Sequence, residues 1–174
     1  SYTLSARFSK AFMDVENLSE NLQKTNTAFS KFVPLEFLRL LEKTNITEIK
    51  LGDQVQKELS ILFADIRSFT SLSEKMSPRD NFNFINSYLK RMGPIIRNNS
   101  GFIDKYIGDG IMALFPDNVE DAINAGIRMR KEIDEMNQSR ARSGYIPIDL
   151  GIGIHTGSIM LGIVGENERM DGTV

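Results

Sequence analysis

Residues 101–116 read "GFIDKYIGDGIMALFP", two apolar runs split by Ile107-Gly108-Asp109-Gly110. Glycine on both sides of an aspartate permits the backbone of a tight turn, so this stretch is expected to be a β-hairpin. A hairpin in mid-chain confines what can lie on either side of it. Upstream, Glu58 to Ile66 reads as an apolar strand, and helical pattern follows over Ser68 to Met76 and Arg79 to Asn98. Ser77-Pro78 separates the two helical pieces, and Gly93-Pro94 is expected to kink the second. Phe82, Ile85, Tyr88, Leu89, Met92 and Ile96 recur at helical spacing and read as core. Downstream, Val119 to Asn137 reads as a helix with Ala122, Ala125, Ile127, Met129 and Ile133 inward. Gln138 to Pro147 reads as loop, and Ile148 to Val164 as a strand interrupted at Thr156-Gly157. The order βαββαβ predicts an α/β (α+β) domain, a ferredoxin-like or palm-like mixed sheet with helices on one face.

A long helix is expected before this domain. Leu4, Phe8, Ala11, Val15, Leu18, Leu22, Thr25, Phe29 and Phe32 alternate at spacings of four and three, an a/d heptad seam with Thr25 as its polar member. Residues 1–33 therefore read as a parallel coiled coil that joins two copies and carries a signal from an upstream sensor. The alternative is an amphipathic helix packed on its own domain. Pro34 closes the pattern. Leu35 to Glu42 then reads as a short helix, and Asn45 to Leu51 as an edge strand. The first residue is Ser1, not Met, and a fragment of a longer protein is expected.

Composition excludes several classes. The net charge is −2 and the pI about 5.5, so no basic stripe marks a nucleic-acid partner. Lys90, Arg91 and Arg97, like Arg128, Arg130 and Lys131, read as solvated helix faces. The absence of cysteine excludes disulfides, thiolate zinc sites and a cysteine nucleophile. No apolar run approaches the roughly 18 residues of a membrane span, and no signal peptide is visible. A cytoplasmic domain is expected, with a membrane tether elsewhere in the parent protein left open.

Chemistry concentrates at two aspartates. Asp65 ends the apolar strand in "FADIRSFTSLSE", and Asp109 sits at the hairpin tip. Taken singly, Asp65 would be a helix N-cap and Asp109 a turn residue. In a βαββ unit the hairpin lies beside the first strand, so the two carboxylates are expected to meet at one edge. Paired carboxylates repel unless a cation lies between them. Hard oxygen ligands without His or Cys point to Mg2+ or Mn2+. Two such ions, about 3.5–4 Å apart, suit in-line attack on phosphorus. The helix start at Ser68-Phe69-Thr70 offers free N–H groups to phosphate oxygens. His155, the single histidine, has no carboxylate partner in the pattern and reads as structural. Gly151, Gly153 and Gly157 read as allowing close packing or a bulge.

"FADIRSFTSLSE", "GFIDKYIGDGIMALF", "IDLGIGIHTG" and "ERMDGTV" together resemble the class III nucleotidyl cyclase catalytic domain, in that family's order and spacing, over roughly Leu35 to Val174. The resemblance implies a palm-like fold. It implies that Asp65, Asp109 and the Ile66 carbonyl hold two Mg2+ or Mn2+ ions, and that Phe69 and Thr70 hold the terminal phosphates through backbone N–H groups. It implies that Lys105 and Thr173 read the base, the pairing of one adenylate cyclase subgroup. Their chemistry agrees, because Lys105 can only donate, to adenine N1, while the Thr173 hydroxyl can accept from the N6 amino group. Guanine reverses both groups, and guanylate cyclases carry glutamate at the lysine position.

The expected reaction is conversion of ATP to 3′,5′-cyclic AMP and pyrophosphate in a homodimer, with the aspartates and the base-reading residues of each site drawn from different chains. The alternatives are a non-catalytic dimerisation and nucleotide-sensing module, and a guanylate cyclase. The family continues past "GTV" into a helix carrying an asparagine and an arginine. The domain over residues 34–174 is thus expected to be truncated at its C-terminus and to need the following residues for turnover.

Overall fold

The computed structural model describes residues 2–29 and 31–174, with side chains from residue 6 onward. The chain divides into two compact units, residues 1–37 and 38–174. The first is dominated by α1 (Tyr2–Phe29), an uninterrupted helix in a stretch without Gly or Pro, with one turn-spaced ion pair between Glu20 and Lys24 at 2.7 Å. Its seam side chains Phe8, Val15, Leu18, Leu22 and Phe29 are all exposed, as is Phe32 beyond the helix. The Leu4 side chain lies outside the described residues.

After α2 (Leu35–Leu40), residues 45–51 depart from the expected edge strand. They form a 3-10 turn over Ile46–Glu48. The Asn45 side chain accepts from Thr47 N, and Thr44 donates to Glu48 through both its N–H and its hydroxyl. Such local side-chain bonds offer the backbone an alternative to a ladder.

The second unit carries β1 (Gln54–Ile66), α3 (Phe69–Ser73), α4 (Pro78–Arg97), β2 (Phe102–Ile107), β3 (Gly110–Phe115), α5 (Val119–Arg142), β4 (Leu150–Glu166) and β5 (Arg169–Thr173). The strands form one sheet in the order β2-β3-β1-β4-β5. Every neighbouring pair is antiparallel, so the mixed sheet read from the sequence is corrected. The helical crossovers do connect parallel strands, but each such pair is separated. β3 lies between β1 and β2, and β1 lies between β3 and β4. Side-by-side pairing of the crossover partners would have made the sheet mixed.

Helix ends follow local chemistry. Ser77 caps α4 by accepting from Asp80 N, with Pro78 just inside. Asn118 caps α5 through Glu120 N. α5 runs on to Arg142, through residues expected to be loop. Arg140 lies over the rings of Phe84 and Tyr145, at 5.0 and 5.6 Å, which anchors the extra turn. Asn137 exchanges two 2.8 Å hydrogen bonds with the Ile148 backbone, tying α5 to the approach to β4.

One face of the sheet meets the helices. Leu62, Ala64 and Ile66 of β1 and Ile111, Ala113 and Phe115 of β3 pack with Tyr88, Met92 and Ile96 of α4 and with Ala122, Ala125, Met129 and Ile133 of α5. Each fully buried Leu, Ile or Met contributes about 1.5–3 kcal/mol relative to exposure. β4 is unbroken at Thr156-Gly157, against expectation. The Ser60 and Thr156 hydroxyls hydrogen-bond across the β1–β4 ladder at 2.7 Å, and Gly157 pairs with Leu59 in register. The opposite face is not simply open. Leu59, Phe102, Met112, Leu114, Leu161 and Ile163 are buried there. Lys105 Nζ on β2 donates to the Gly172 carbonyl on β5 at 2.9 Å, although these strands end opposite edges of the sheet. The sheet curls, and this bond joins its edges.

Candidate active site

The pairing of Ala64 with Ile111 and of Ile107 with Gly110 sets the hairpin turn beside the end of β1. Gly108 takes φ +64 in that turn, where a side chain would add about 1–2 kcal/mol of strain. Asp109 is thereby brought to the strand end, where its Oδ2 accepts from Ile66 N at 3.0 Å. Asp65 shares a hydrogen bond with it. Burial and that shared bond push the Asp109 carboxyl up to about 6, and the Ile66 N–H opposes them. Glycine at 110 suits the tight turn, since a Cβ there would stand 3.0 Å from the Ile107 carbonyl. Behind the pair, the buried Tyr88 hydroxyl has no hydrogen-bond partner among the described residues. Burial raises its phenol, and the charges of Asp109 and Asp65 raise it further.

This arrangement fits a divalent cation. Two carboxylates brought this close repel when both are ionised and are relieved by a cation between them, and the donors are hard oxygens suited to Mg2+ or Mn2+. Among the described residues no three His, Asp or Glu side chains gather in one place, so Asp65 and Asp109 have no third carboxylate or imidazole beside them. The metal-free protein should respond to pH accordingly. The folded state holds a proton on Asp109 up to about 6, whereas an unfolded aspartate releases it near about 3.9. The Asp109 contribution to stability is therefore fully present below that lower value, is lost as pH rises through the window to about 6, and changes no further above it. In thermal unfolding with chelator present, Asp109→Asn should remove this component of the pH dependence.

β1 hands on to the second part of the site. Ser68 takes a left-handed conformation, φ 56, and makes no side-chain cap to α3. A non-glycine residue held there stores strain. Arg67 N bonds the Asp149 carbonyl at 2.9 Å, and the Arg67 guanidinium lies over Gly151, where a Cβ would be 2.8 Å away. A larger residue at 151 would displace that guanidinium, a role for Arg67 that spacing alone did not reveal. The Phe69 ring stacks on Phe84 at 6.0 Å, which leaves the backbone of Phe69 and Thr70 as the first turn of α3. N–H groups at a helix start have no earlier carbonyl to bond.

The third part lies across the curl. A register shift between Ile103 and Lys105 sets Lys105 opposite Met112, on the face away from the helices. Its ammonium reaches Gly172, the neighbour of Thr173, which pairs with Gly162 on β4. Lys105 and Thr173 are thus brought to one end of the sheet within one chain. His155 is exposed opposite Ile61, and its side chain makes no hydrogen bond or ion pair among the described residues. The feature the sequence reading missed is Asp104, a buried carboxylate beside Lys105. Its signal was the "DK" pair in a strand, which alternation alone would have split between two faces.

A carboxylate pair at a strand end, on an antiparallel sheet of βαββαβ order, is found here together with a family match. Residues 51–171 match the model for "Adenylate and Guanylate cyclase catalytic domain", and the chain belongs to that family. An adenylate cyclase of Anabaena cylindrica is 44% identical over 158 residues, covering 88% of this chain and 32% of that protein. The terminal-differentiation specific adenylate cyclase of Dictyostelium discoideum is 41% identical over 159 residues, covering 88% of this chain and 7% of that protein. Among solved structures, the adenylyl cyclase CyaB from P. aeruginosa is 34% identical with a TM-score of 0.64, covering 69% of this chain and 66% of that one. The chain spans about a third or less of the length of these two curated relatives.

Proposed function

We propose that this domain converts ATP to 3′,5′-cyclic AMP and pyrophosphate, at sites shared between the two chains of a homodimer. The observation that carries this reading is the Asp65–Asp109 pair, two carboxylates brought together where the end of β1 meets the β2–β3 turn. Asp65, Asp109 and the Ile66 carbonyl would hold two Mg2+ or Mn2+ ions, which supply charge neutralisation and acidity toward the ribose 3′-hydroxyl. The backbone N–H groups of Phe69 and Thr70 bind the terminal phosphate oxygens. Lys105 donates to adenine N1, and the Thr173 hydroxyl accepts from the N6 amino group. No side-chain nucleophile is needed.

The family description covers guanylate cyclases as well. Lys105 favours adenine, because a pure donor leaves the guanine N1–H unmatched in a desolvated site. The exposed apolar seam of α1 supports a parallel coiled coil that holds the two chains together and transmits a signal from an upstream sensor. No described helix is long and apolar enough to cross a membrane, and a cytoplasmic position suits a domain that consumes ATP. The test is turnover by the full-length protein with Mg2+- or Mn2+-ATP, with cyclic AMP measured directly. Cyclic AMP formation, with GTP a much poorer substrate, supports the reading. A folded protein that binds ATP without turnover would be a sensing module instead.

A further inference from the structure

Asp104 is a buried carboxylate that the chemistry above does not use. Ile103 pairs with Ala113 and Lys105 with Met112, so Asp104 is the extra residue of a β-bulge, without a partner across the ladder. Bulges re-aim the side chains around them. The Asp104 side chain is 4% exposed, and its Oδ2 stands 3.4 Å from Lys105 Nζ. That oxygen has no hydrogen bond among the described residues. A carboxylate is costly to bury unless a charge answers it. Burial pushes the Asp104 carboxyl up, Lys105 draws it back, and Asp171 on β5 adds to the rise. The Lys105 ammonium is therefore attended on two sides, by Asp104 and by the Gly172 carbonyl at 2.9 Å. An ammonium has three N–H donors. With one on Gly172 and the ammonium held beside Asp104 by charge, its freedom to swing away from an acceptor on a bound base is restricted.

We propose that Asp104 is a positioning residue for base selection: it aims the Lys105 ammonium so that one N–H meets the purine edge. This rests on the reading of Lys105 as the residue that recognises the base. Neutralising Asp104 frees the ammonium to swing on its flexible stem. The site then loses its advantage for a base with an acceptor at N1, while its affinity for the phosphates is untouched.

The test uses the full-length protein with Asp104→Asn, which keeps the shape and removes the charge, and with Asp104→Ala. Lys105→Ala and the Asp104→Asn/Lys105→Ala double variant complete the set. kcat and KM are measured for ATP and for GTP, with thermal unfolding alongside. The ATP/GTP ratio of kcat/KM should fall about tenfold in each Asp104 variant, mostly through KM for ATP. Adding Asp104→Asn to Lys105→Ala should change that ratio no further, because nothing is left to aim. If the Asp104 variants keep the wild-type ratio while Lys105→Ala collapses it, Asp104 does not position the lysine and the base-reading role of Lys105 stands. If Lys105→Ala itself leaves the ratio unchanged, the underlying reading fails and this one with it. Equal losses for both nucleotides with a lowered unfolding temperature, or loss of the fold in both Asp104 variants, would show a structural role and overturn the inference.

Discussion

Replacing Asp65 or Asp109 by alanine in the full-length protein should reduce cyclic AMP formation at least about hundredfold, the usual scale for losing a group that answers transition-state charge. The fold should survive. Both side chains lie at the rim of the sheet, and without metal they repel each other, so either removal relieves a like-charge contact. Asp109→Ala does take the acceptor from Ile66 N, which costs about 1 kcal/mol and offsets part of that relief. Unfolding temperatures within a few degrees of wild type, in chelator, would therefore accompany the lost activity. Only the wild type should gain stability when Mg2+ or Mn2+ is added, because a ligand bound to the folded state alone stabilises it. More than a few per cent of wild-type activity in either variant would remove that aspartate from the metal site.

The second large effect concerns the base. Lys105→Glu combined with Thr173→Ala should lower the ATP/GTP ratio of kcat/KM at least about hundredfold, since a buried polar mismatch is rejected far more strongly than a missing methylene. Glutamate would accept from guanine N1 and repel the adenine N1 lone pair. It would also lose the bond from Lys105 to Gly172 and face Asp104 across the space the ammonium occupied. Like charges there should cost activity with both nucleotides, so loss of ATP use is expected to exceed gain of GTP use. An unchanged ratio would mean that neither residue reads the base.

How much of this was legible depended on range. The hairpin was read from Gly108 and Gly110, because turn chemistry is local and Gly108 does take a left-handed φ. The meeting of Asp65 with Asp109 followed from that hairpin and from strand order. Three elements were misread because their causes lie elsewhere in the fold. β4 looked broken at Thr156-Gly157, but Ser60 on β1 supplies the hydroxyl that holds it. α5 looked finished at Asn137, but Phe84 and Tyr145 flank Arg140 and carry it on. Residues 45–51 looked strand-like by alternation, yet Thr44, Asn45 and Glu48 satisfy one another locally. The mixed sheet was an error of adjacency, since alternating elements imply crossovers but not which strand slips between the partners. The curl that carries Lys105 to Gly172 has no pattern along the chain at all. It is a property of the curled sheet, and so is the bulge that buries Asp104 beside the lysine.

We propose that each site takes its aspartates from one chain and its base-reading residues from the other. Subunit mixing separates this arrangement from a site built within one chain. Full-length Asp65→Ala and Lys105→Ala proteins, each nearly inactive alone, are combined and allowed to exchange subunits, and cyclic AMP is measured. In a mixed two-fold dimer one site receives both defects, and the other receives intact aspartates from the Lys105→Ala chain and intact Lys105 from the Asp65→Ala chain. Random pairing makes about half the dimers mixed, each with one good site, so activity should recover to about a quarter of wild type. A site built within a single chain would keep a defect in every copy. Activity that stays at the level of the separate variants, with both proteins folded, dimeric and exchanging, would contradict the shared site.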